Sequence, residues 1–208
     1  MNPDSLLYIR SVGTLSTFGL GATFSDKKLR VKNVDGVIDY DEDDTMVNYL
    51  DGEIGRSDSH ISGIAQELLP FVFDRTKPLQ ADLTFNSDRL ILQGILQRDL
   101  ENPDSGIAFG IPFEGDLIMD VNIKHLEYDR FTTDDLELMG EIHGKRVKID
   151  RLQTQFAGGR IDAFGRMNAE NQDSIVTNLD FTLSRINIPT VLKTFDDFGQ
   201  EVLTHRRT

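Results

Sequence analysis

The chain has 208 residues, of which 38% are hydrophobic, so it is long enough for one large domain or for two units of about 100 residues each. It contains no cysteine, which excludes disulfides, zinc–thiolate sites and thiol nucleophiles. The formal net charge is −13, and a chain this acidic is a poor candidate for binding nucleic acid or an anionic membrane surface. There is no run of 18 apolar residues and no signal-peptide segment, and both ends suggest a piece cut from a longer protein.

An acidic stretch, "DYDEDDTM", opens the informative part of the chain and is interpreted as a solvated turn. Asp39, Asp41 and Asp43 have the spacing that begins a calcium-binding loop. The sixth position of such a loop requires glycine and the twelfth requires glutamate, but the chain has Asp44 and Leu50 there. We therefore expect no calcium site, and no other metal site is predicted.

Period-two alternation of apolar and polar residues dominates the rest of the chain and predicts strands with one apolar face. It is clear in "LQADLTFNSDRLIL", in "GDLIMDVNIKHLEY" and in "NLDFTLSRINI". In the second of these, Ile118, Asp120, Asn122 and Lys124 occupy the opposite face. The residues predicted to share apolar strand faces are Leu83, Phe85, Leu117, Met119, Val121, Ile123, Leu179 and Phe181.

A polar, turn-rich stretch, "RDLENPDSGIAFG", divides the chain and predicts a loop or linker. We accordingly predict one unit over residues 1–98, a linker over 99–110 and a second unit over 111–208. Within the second unit, "RVKIDRLQTQF" alternates with Val147 and Ile149 on one face and then slips in register near Leu152.

The stretch "LQTQFAGGRIDAFGRM" contains two alternating segments separated by Gly158-Gly159. A phosphate loop would need a helix after the glycines, whereas the residues that follow have strand periodicity. Gly158 and Gly159 are therefore predicted to supply the positive φ of a tight hairpin or a bulge. Further on, "NIPTVLKTFDDF" predicts a short helix with Pro189 as its first residue and Gly199 as its stop.

An internal repeat organises these strands. "LTFNSDRLILQGIL", from Leu83, aligns without gaps to "LDFTLSRINIPTVL", from Leu179. Upstream, "LDGEIGRSDSHISG" aligns to "LQTQFAGGRIDAFG", which matches Gly63 with Gly165. The repeat unit is thus about one hundred residues long, and such units bury their apolar faces by stacking on their neighbours.

Catalytic constellations are not evident in the sequence. His60, His125, His143 and His205 are isolated from one another and have no metal-ligand spacing. Arg89 and Arg185 occupy equivalent places in the repeat and are expected to bond a neighbouring turn. No nucleophile elbow and no phosphate-binding loop motif is present. We expect a protein that is not an enzyme and has no cofactor.

The amount of one-sided apolar strand surface is large relative to the helix available to cover it. In a sandwich a second sheet would cover this surface, and it would then be core. In an open, curved sheet it would line a groove suited to acyl chains. Alternation is the same in both arrangements, so both remain open from the sequence.

The order of these segments resembles the AsmA family. "LQTQFAGGRIDAFGRM" followed by "VTNLDFTLSRINIPTVLKTFDDFG" resembles the C-terminal region of that family. "VNYLDGEIGRSDSHISGIAQELLPFVF" with "PLQADLTFNSDRLIL" resembles a neighbouring repeat, in which a Gly-x-Ser-Asp element replaces Gly-Gly. The likeness covers most of residues 29 to 200.

The resemblance implies a mainly β fold of tandem repeats, with long antiparallel strands in a curved open sheet or groove and short helices. It implies a periplasmic part of a Gram-negative envelope protein that is anchored in the inner membrane through an N-terminal segment this chain lacks. Like the related bridge-like lipid-transfer proteins of the TamB type, it would bind or conduct phospholipid for outer-membrane biogenesis. The predicted lipid-binding residues are the eight apolar residues named above. The alternative is a structural or protein-binding scaffold whose apolar face is ordinary core.

Overall fold

The computed structural model describes residues 12–24, 29–41, 44–66, 68, 78–92, 115–170 and 176–194. These residues contain ten strands of one sheet and one complete short helix, which confirms the prediction of a mainly β protein with far more strand than helix. The elements are β1 (Val12–Phe24), β2 (Leu29–Asp41), β3 (Asp44–Ile54), β4 (Ser57–Gln66), β5 (Leu79–Ile91), β6 (Gly115–Tyr128), β7 (Phe131–His143), β8 (Arg146–Phe156), β9 (Gly159–Asn168), β10 (Val176–Ser184) and α1 (Ile188–Thr194).

The strands lie in the sheet in the same order as in the chain. All neighbouring pairs are antiparallel except β5 and β6, which are parallel and so cannot be joined by a tight turn. The connection between them includes the predicted linker 99–110, which lies outside the described residues. The division into two units therefore stays a prediction. Among the described elements, extensive contacts occur only between neighbouring strands, so the described sheet is a single layer.

The predicted register slip in β8 is confirmed. Pairing with β9 shifts between Ile149 and Leu152, and pairing with β7 shifts at the same place. Ile149 and Leu152 are three residues apart and would lie on opposite faces of a regular strand. The shift of one residue between them places both on the same face of β8.

The hairpin between β8 and β9 differs from the prediction by one residue. Phe156 pairs with Gly159, so the two-residue turn consists of Ala157 (φ 50°) and Gly158 (φ 74°). Positive φ at both central residues defines a type I′ turn, whose backbone twist matches the twist of the two flanking strands. The positive φ predicted for Gly158 is correct, but Gly159 is an ordinary strand residue. It is glycine for a different reason, because a Cβ there would clash with the carbonyl oxygen of Ser184 and the backbone of Arg185.

Backbone features recur 102 residues apart along the chain. Asn33 and Asp135 both have a φ of 50°, which is unusual for residues other than glycine. Gly63 and Gly165 both have positive φ, and a side chain at either position would meet the backbone of the next strand. The upstream pair of aligned sequence segments, which begin at Leu50 and Leu152, has the same spacing of 102 residues.

The ends of the aligned strands β5 and β10 differ, and the hydrogen bonds show why. The carboxylate of Asp58 accepts hydrogen bonds from the backbone N–H groups of Asp88 (2.8 Å) and Arg89 (2.7 Å), and Ser57 Oγ accepts one from Ile91 N–H (2.8 Å). These bonds hold β5 extended to Ile91. At the position aligned with Asp58 the second copy has Arg160, which offers no acceptor.

The chain after β10 instead turns into the helix. Arg185 has a φ of 58°, and Asn187 N–H donates to the Ala157 carbonyl at 2.9 Å. The side chain of Asn187 caps α1 by accepting hydrogen bonds from the N–H and hydroxyl of Thr190. Pro189 is therefore the second helical residue rather than the predicted first, because Asn187 is the cap. The predicted stop, Gly199, lies outside the described residues.

A small core lies beside the end of β5 and β6. Leu90, Ile123 and Leu126 are buried there, with Phe131 among the side chains that pack around them. Phe131 also contacts Phe156, with the ring centroids 4.9 Å apart. Ile123 and Leu126 are three residues apart in one strand, so the simple alternation predicted for β6 breaks between them. The rest of the sheet has no comparable cluster among the described residues.

Candidate functional site

One face of the sheet carries an unbroken row of apolar residues and glycines that crosses all ten strands. Each member of the row is paired in register with the next, from one edge of the sheet to the other. The row consists of Leu15, Ile38, Val47, Gly63, Leu83, Met119, Gly140, Ile149, Gly165 and Leu179.

Two further rows flank this central row on the same face, and together the three rows define what we call the apolar face. The first is Thr17, Gly36, Leu50, Ile61, Phe85, Val121, Leu138, Leu152, Ala163 and Phe181. The second is Gly13, Tyr40, Thr45, Ala65, Ala81, Leu117, Ile142, Val147, Met167 and Thr177. Strand spacing makes the apolar face about 43 Å long across the strands, and its three rows span about 14 Å along them.

The predicted lipid-binding residues all lie on this side of the sheet. Leu83 pairs with Met119 and Phe85 with Val121, so these residues form one surface across β5 and β6. At the β10 edge, Leu179 lies in the same row as Leu83, and Phe181 lies in the same row as Phe85. Leu117 lies in the second flanking row. Seven of the eight belong to the three rows; the eighth, Ile123, is 5% exposed in the core with Leu90 and Leu126.

Exposure varies along the apolar face. Val47, Ala65 and Ala163 are buried, and most of the remaining apolar side chains are partly buried. Phe181 at the edge is 62% exposed. None of the described elements packs onto this face, since the described contacts run between neighbouring strands.

The opposite side, which we call the polar face, has a contrasting composition. One row on it, which runs from β2 to β10, contains no apolar residue: Asp35, Asp51, His60, Asn86, Asn122, Glu137, Gln153, Asp162 and Thr182. A neighbouring row is mixed and includes Met46, Ile64 and Ile118, each about half exposed. The two faces of the sheet thus differ in polarity most clearly along their centres.

Three histidines on the polar face are each paired with an aspartate directly across an antiparallel strand pair, which the sequence did not reveal. His60 contacts Asp51, His125 Nδ1 lies 2.6 Å from Asp134 Oδ1, and His143 Nδ1 lies 3.1 Å from Asp116 Oδ1. The partners are 9 to 27 residues apart in sequence, so only the strand register brings them together.

His143 has the clearest electrostatic environment of the three. Hydrogen bonds with Asp116 and then with Glu141 raise the pKa of His143 above its usual value. Lys148 Nζ also donates a hydrogen bond to Glu141 at 2.8 Å. This bond is the largest cause of the lowered pKa of Glu141, and the hydrogen bond with His143 is the second. These groups are exposed and mutually paired, so they resemble a surface ion-pair network more than a catalytic site.

Arg89 and Arg185 differ from the prediction that both bond a neighbouring turn. Arg89 NH2 lies 2.6 Å from Glu127 Oε1 on β6, and Arg89 Nε donates to the same oxygen at 2.8 Å. This hydrogen bond is the largest cause of the lowered pKa of Glu127. Arg185 lies in the exposed bend after β10. The two arginines therefore have different roles, because β5 continues past this point and β10 does not.

The polar face has a shallow cavity of about 440 Å³, lined by residues such as Asn86, Asn122, Gln153 and Arg160. Its lining is paired internally, for example Arg160 with Asp162 at 2.6 Å. Across the described ranges, no three histidine, aspartate or glutamate side chains are gathered in a way that would hold a metal ion. The feature that distinguishes this sheet is therefore the apolar face.

Comparison with known proteins gives no relative: no family model matches the chain, and no curated protein or solved structure is significantly similar to it. Within the described part of the chain, no helix has the length and apolar character needed to cross a membrane.

Proposed function

We propose that this chain binds the acyl chains of phospholipids along the apolar face. The observation that carries the proposal is the set of three rows that cross all ten strands and contain almost only apolar residues and glycine. Contiguous apolar surface of this extent, uncovered by any described element, is uncommon in a protein that works alone in water.

The dimensions and energetics of the apolar face suit an acyl chain. Each methylene group removed from water contributes roughly 0.8 kcal/mol, so a chain of many methylenes binds without a specific polar contact. The face carries no charged residue in its three rows. Binding should therefore be tolerant of the headgroup and weakly dependent on salt.

A difference in exposure between neighbouring residues supports a groove-like shape. Val47 on the apolar face is 6% exposed, whereas Met46, its neighbour on the polar face, is 49% exposed. In a single-layer sheet, side chains crowd and shield one another on the concave face. This contrast supports a sheet that curves toward its apolar face.

The proposal includes two AsmA-like repeats of five strands each, with β1 to β5 equivalent to β6 to β10. The matching φ values of Asn33 and Asp135, 102 residues apart, support this equivalence. A place in the Gram-negative periplasm and a part in lipid transport for outer-membrane biogenesis belong to the same proposal. They rest on the sequence resemblance.

The proposal is tested by incubating the purified chain with fluorescent phospholipid and measuring the lipid that co-elutes with the protein. Met119→Asp places a charge in the central row of the apolar face, and Val121→Asp places one in the adjacent flanking row. Asn122→Asp is the matched control, since it puts the same charge on the next residue of the same strand but on the polar face. We expect uptake by the wild type and by the control and loss of uptake by the two apolar-face variants.

Unfolding must be separated from loss of binding in this experiment. Circular dichroism and urea unfolding of each variant show whether the sheet persists. If Val121→Asp unfolds the protein and the wild type takes up no lipid, the apolar face is ordinary core and the proposal is wrong.

A second candidate function is a protein-binding scaffold. The observation that favours it is the exposed apolar surface at the two edge strands, where Phe18 on β1 is 79% exposed and Val176 on β10 is 68% exposed. A scaffold would associate through these edges and take up no lipid, so the same uptake experiment separates it from the first candidate.

A further inference from the structure

In the proposed repeat, the outer edge of β10 is equivalent to the edge of β5 that pairs with β6. β5 and β10 are the aligned strands of the proposed repeat, and Gly63 pairs with Leu83 as Gly165 pairs with Leu179. The other edge of β5 pairs in parallel with β6, the first strand of the second unit. By the same equivalence, the edge of β10 that no described strand pairs matches the edge of β5 that pairs with β6. It would therefore accept the first strand of another unit, and β1 is the strand equivalent to β6.

Both edge strands are poor in charge, although 27% of the chain is charged. β1 has no charged residue in "VGTLSTFGLGATF", and β10 has only Asp180 in "VTNLDFTLS". Natural sheets usually protect free edges with lysine, proline, bulges or inward-pointing charges. The register of β10 with β9 runs without a shift from Val176 to Ser184, so this edge is also regular. A charge-poor, regular edge is suited to pairing with another strand.

We propose that the β10 edge of one copy of this chain pairs in parallel with the β1 edge of a second copy, which gives a head-to-tail assembly with a continuous sheet. This inference rests on the repeat equivalence in the proposed function. The occupant is another copy because β1 has the two properties that β6 has where it pairs with β5. It is the first strand of its unit, and its apolar row is in phase with that of β10.

The register of this contact follows from the rows. Leu83 pairs with Met119 in the central row at the β5–β6 junction, and the same row ends in Leu15 at one edge and Leu179 at the other. Leu15 of the second copy should therefore lie opposite Leu179 of the first. Gly13 would then lie opposite Thr177, and the apolar face would continue from one copy to the next.

The contact should be weak and salt-dependent. Pairing between β1 and β2 is regular from Val12 to Thr17 and shifts near Leu20, so only the first part of β1 offers a regular edge. A net charge of −13 on each copy opposes association at low ionic strength. We expect self-association to increase with protein concentration and with added salt, which screens this repulsion.

The absence of cysteine allows a direct test by cross-linking. Thr14 on β1 and Asn178 on β10 are the two end members of one row on the polar face. Thr14 of one copy should therefore lie next to Asn178 of the other across the contact. Thr14→Cys and Asn178→Cys proteins are mixed and oxidised with increasing salt. A protein carrying both substitutions should form a ladder of oligomers, because every copy then has two reactive edges.

The matched control is Thr14→Cys mixed with Thr182→Cys. Thr182 lies on the same face and strand as Asn178 but four residues out of register, about 13 Å away. We expect at least tenfold more cross-linked dimer from the matched mixture than from the control. Equal yields from both mixtures would indicate random collision and would overturn the proposal.

Sedimentation equilibrium of the wild type provides a measurement without engineered cysteine. Concentration-dependent association should appear at high salt and should be lost in Asn178→Lys, which places a charge at the β10 edge on the polar face. A wild type that stays monomeric overturns the assembly whatever the result of the lipid experiment. Lipid uptake by the monomeric Asn178→Lys variant, whose apolar face is unchanged, would show that lipid binding stands without assembly, so the two proposals fail separately.

Discussion

Gly165 lies directly opposite Leu179 across β9 and β10, and a Cβ atom on Gly165 would come within 2.8 Å of the Leu179 Cα. Gly63 has the same relationship with Leu83 across β4 and β5, with a corresponding distance of 3.0 Å. In both pairs the glycine has positive φ, at 154° and 140°, so two independent constraints exclude a side chain. These glycines allow the backbones to approach in the central row of the apolar face.

Replacing Gly165 by alanine should therefore lower the free energy of unfolding by about 1–3 kcal/mol, because the new Cβ is strained by φ and clashes with Leu179. Urea unfolding followed by circular dichroism measures the effect. Gly21→Ala is the control, since a Cβ there meets only Val31 O at an ordinary 3.5 Å. Equal stability of the two variants would show that the backbone at Gly165 relaxes freely.

Thr133 and Thr154 form a buried hydroxyl pair that ties β7 to β8. Their Oγ1 atoms are 2.5 Å apart, Gln155 O lies 2.7 Å from Thr133 Oγ1, and Asp134 O lies 3.0 Å from Thr154 Oγ1. One hydroxyl donates to the other, and the second hydroxyl donates to a backbone carbonyl, because the two side chains supply only two protons. Thr133→Val should cost about 1–3 kcal/mol by leaving acceptors without a donor. In a double-mutant cycle, Thr133→Val with Thr154→Val should cost less than the sum of the single changes. Strict additivity would show that the pair is not coupled.

Asp58 should make stability depend on pH in the acid range. Partial desolvation opposes the shift, but hydrogen bonds from Asp88 and Arg89 N–H lower the pKa of Asp58 below its usual value. Its contribution is present above the unfolded-state pKa and is lost as the pH falls through the folded-state pKa. Asp58→Asn should therefore be less stable than the wild type at pH 6, and the difference should narrow below pH 4, as measured by urea midpoints.

Asp180→Asn serves as the control for that measurement, because Asp180 makes no side-chain hydrogen bond to any described residue. Asp180→Asn should leave the urea midpoint at pH 6 close to that of the wild type. A gap between Asp58→Asn and the wild type that stays constant from pH 6 to pH 3 would contradict the assigned role.

His143 should stabilise the fold at low rather than high pH. Because Asp116 and Glu141 raise its pKa, its contribution is fully present below the unfolded-state pKa and is lost as the pH rises through the folded-state pKa. Asp116→Asn should lower the pKa of His143, as measured by NMR titration of the imidazole proton. Asp44→Asn, which lies on a distant strand, should not change it. An identical titration in Asp116→Asn would mean that the contact is absent in solution.

The secondary structure was predictable to a considerable extent, because period-two alternation directly reflects which side of a strand faces an apolar environment. The alternation in β6 from Leu117 to Ile123 and the slip near Leu152 both agree with the structure. The sequence places the tight turn one residue too late, at Gly158-Gly159, because Ala157 adopts a positive φ that usually favours glycine. Gly159 is explained only by the close approach of Ser184, a contact between residues 25 positions apart.

The sequence by itself determined which residues of each strand are apolar and that they alternate with polar ones, because this pattern is local. The tertiary structure decided how the strands are paired, and pairing depends on register, bulges and turn lengths that act between distant residues. Only that register joins Leu83, Met119 and Leu179 into one row and sets His125 opposite Asp134. The apolar face and the histidine–aspartate pairs are therefore properties of the assembled sheet, whereas the one-sided strands that build them are written in the sequence.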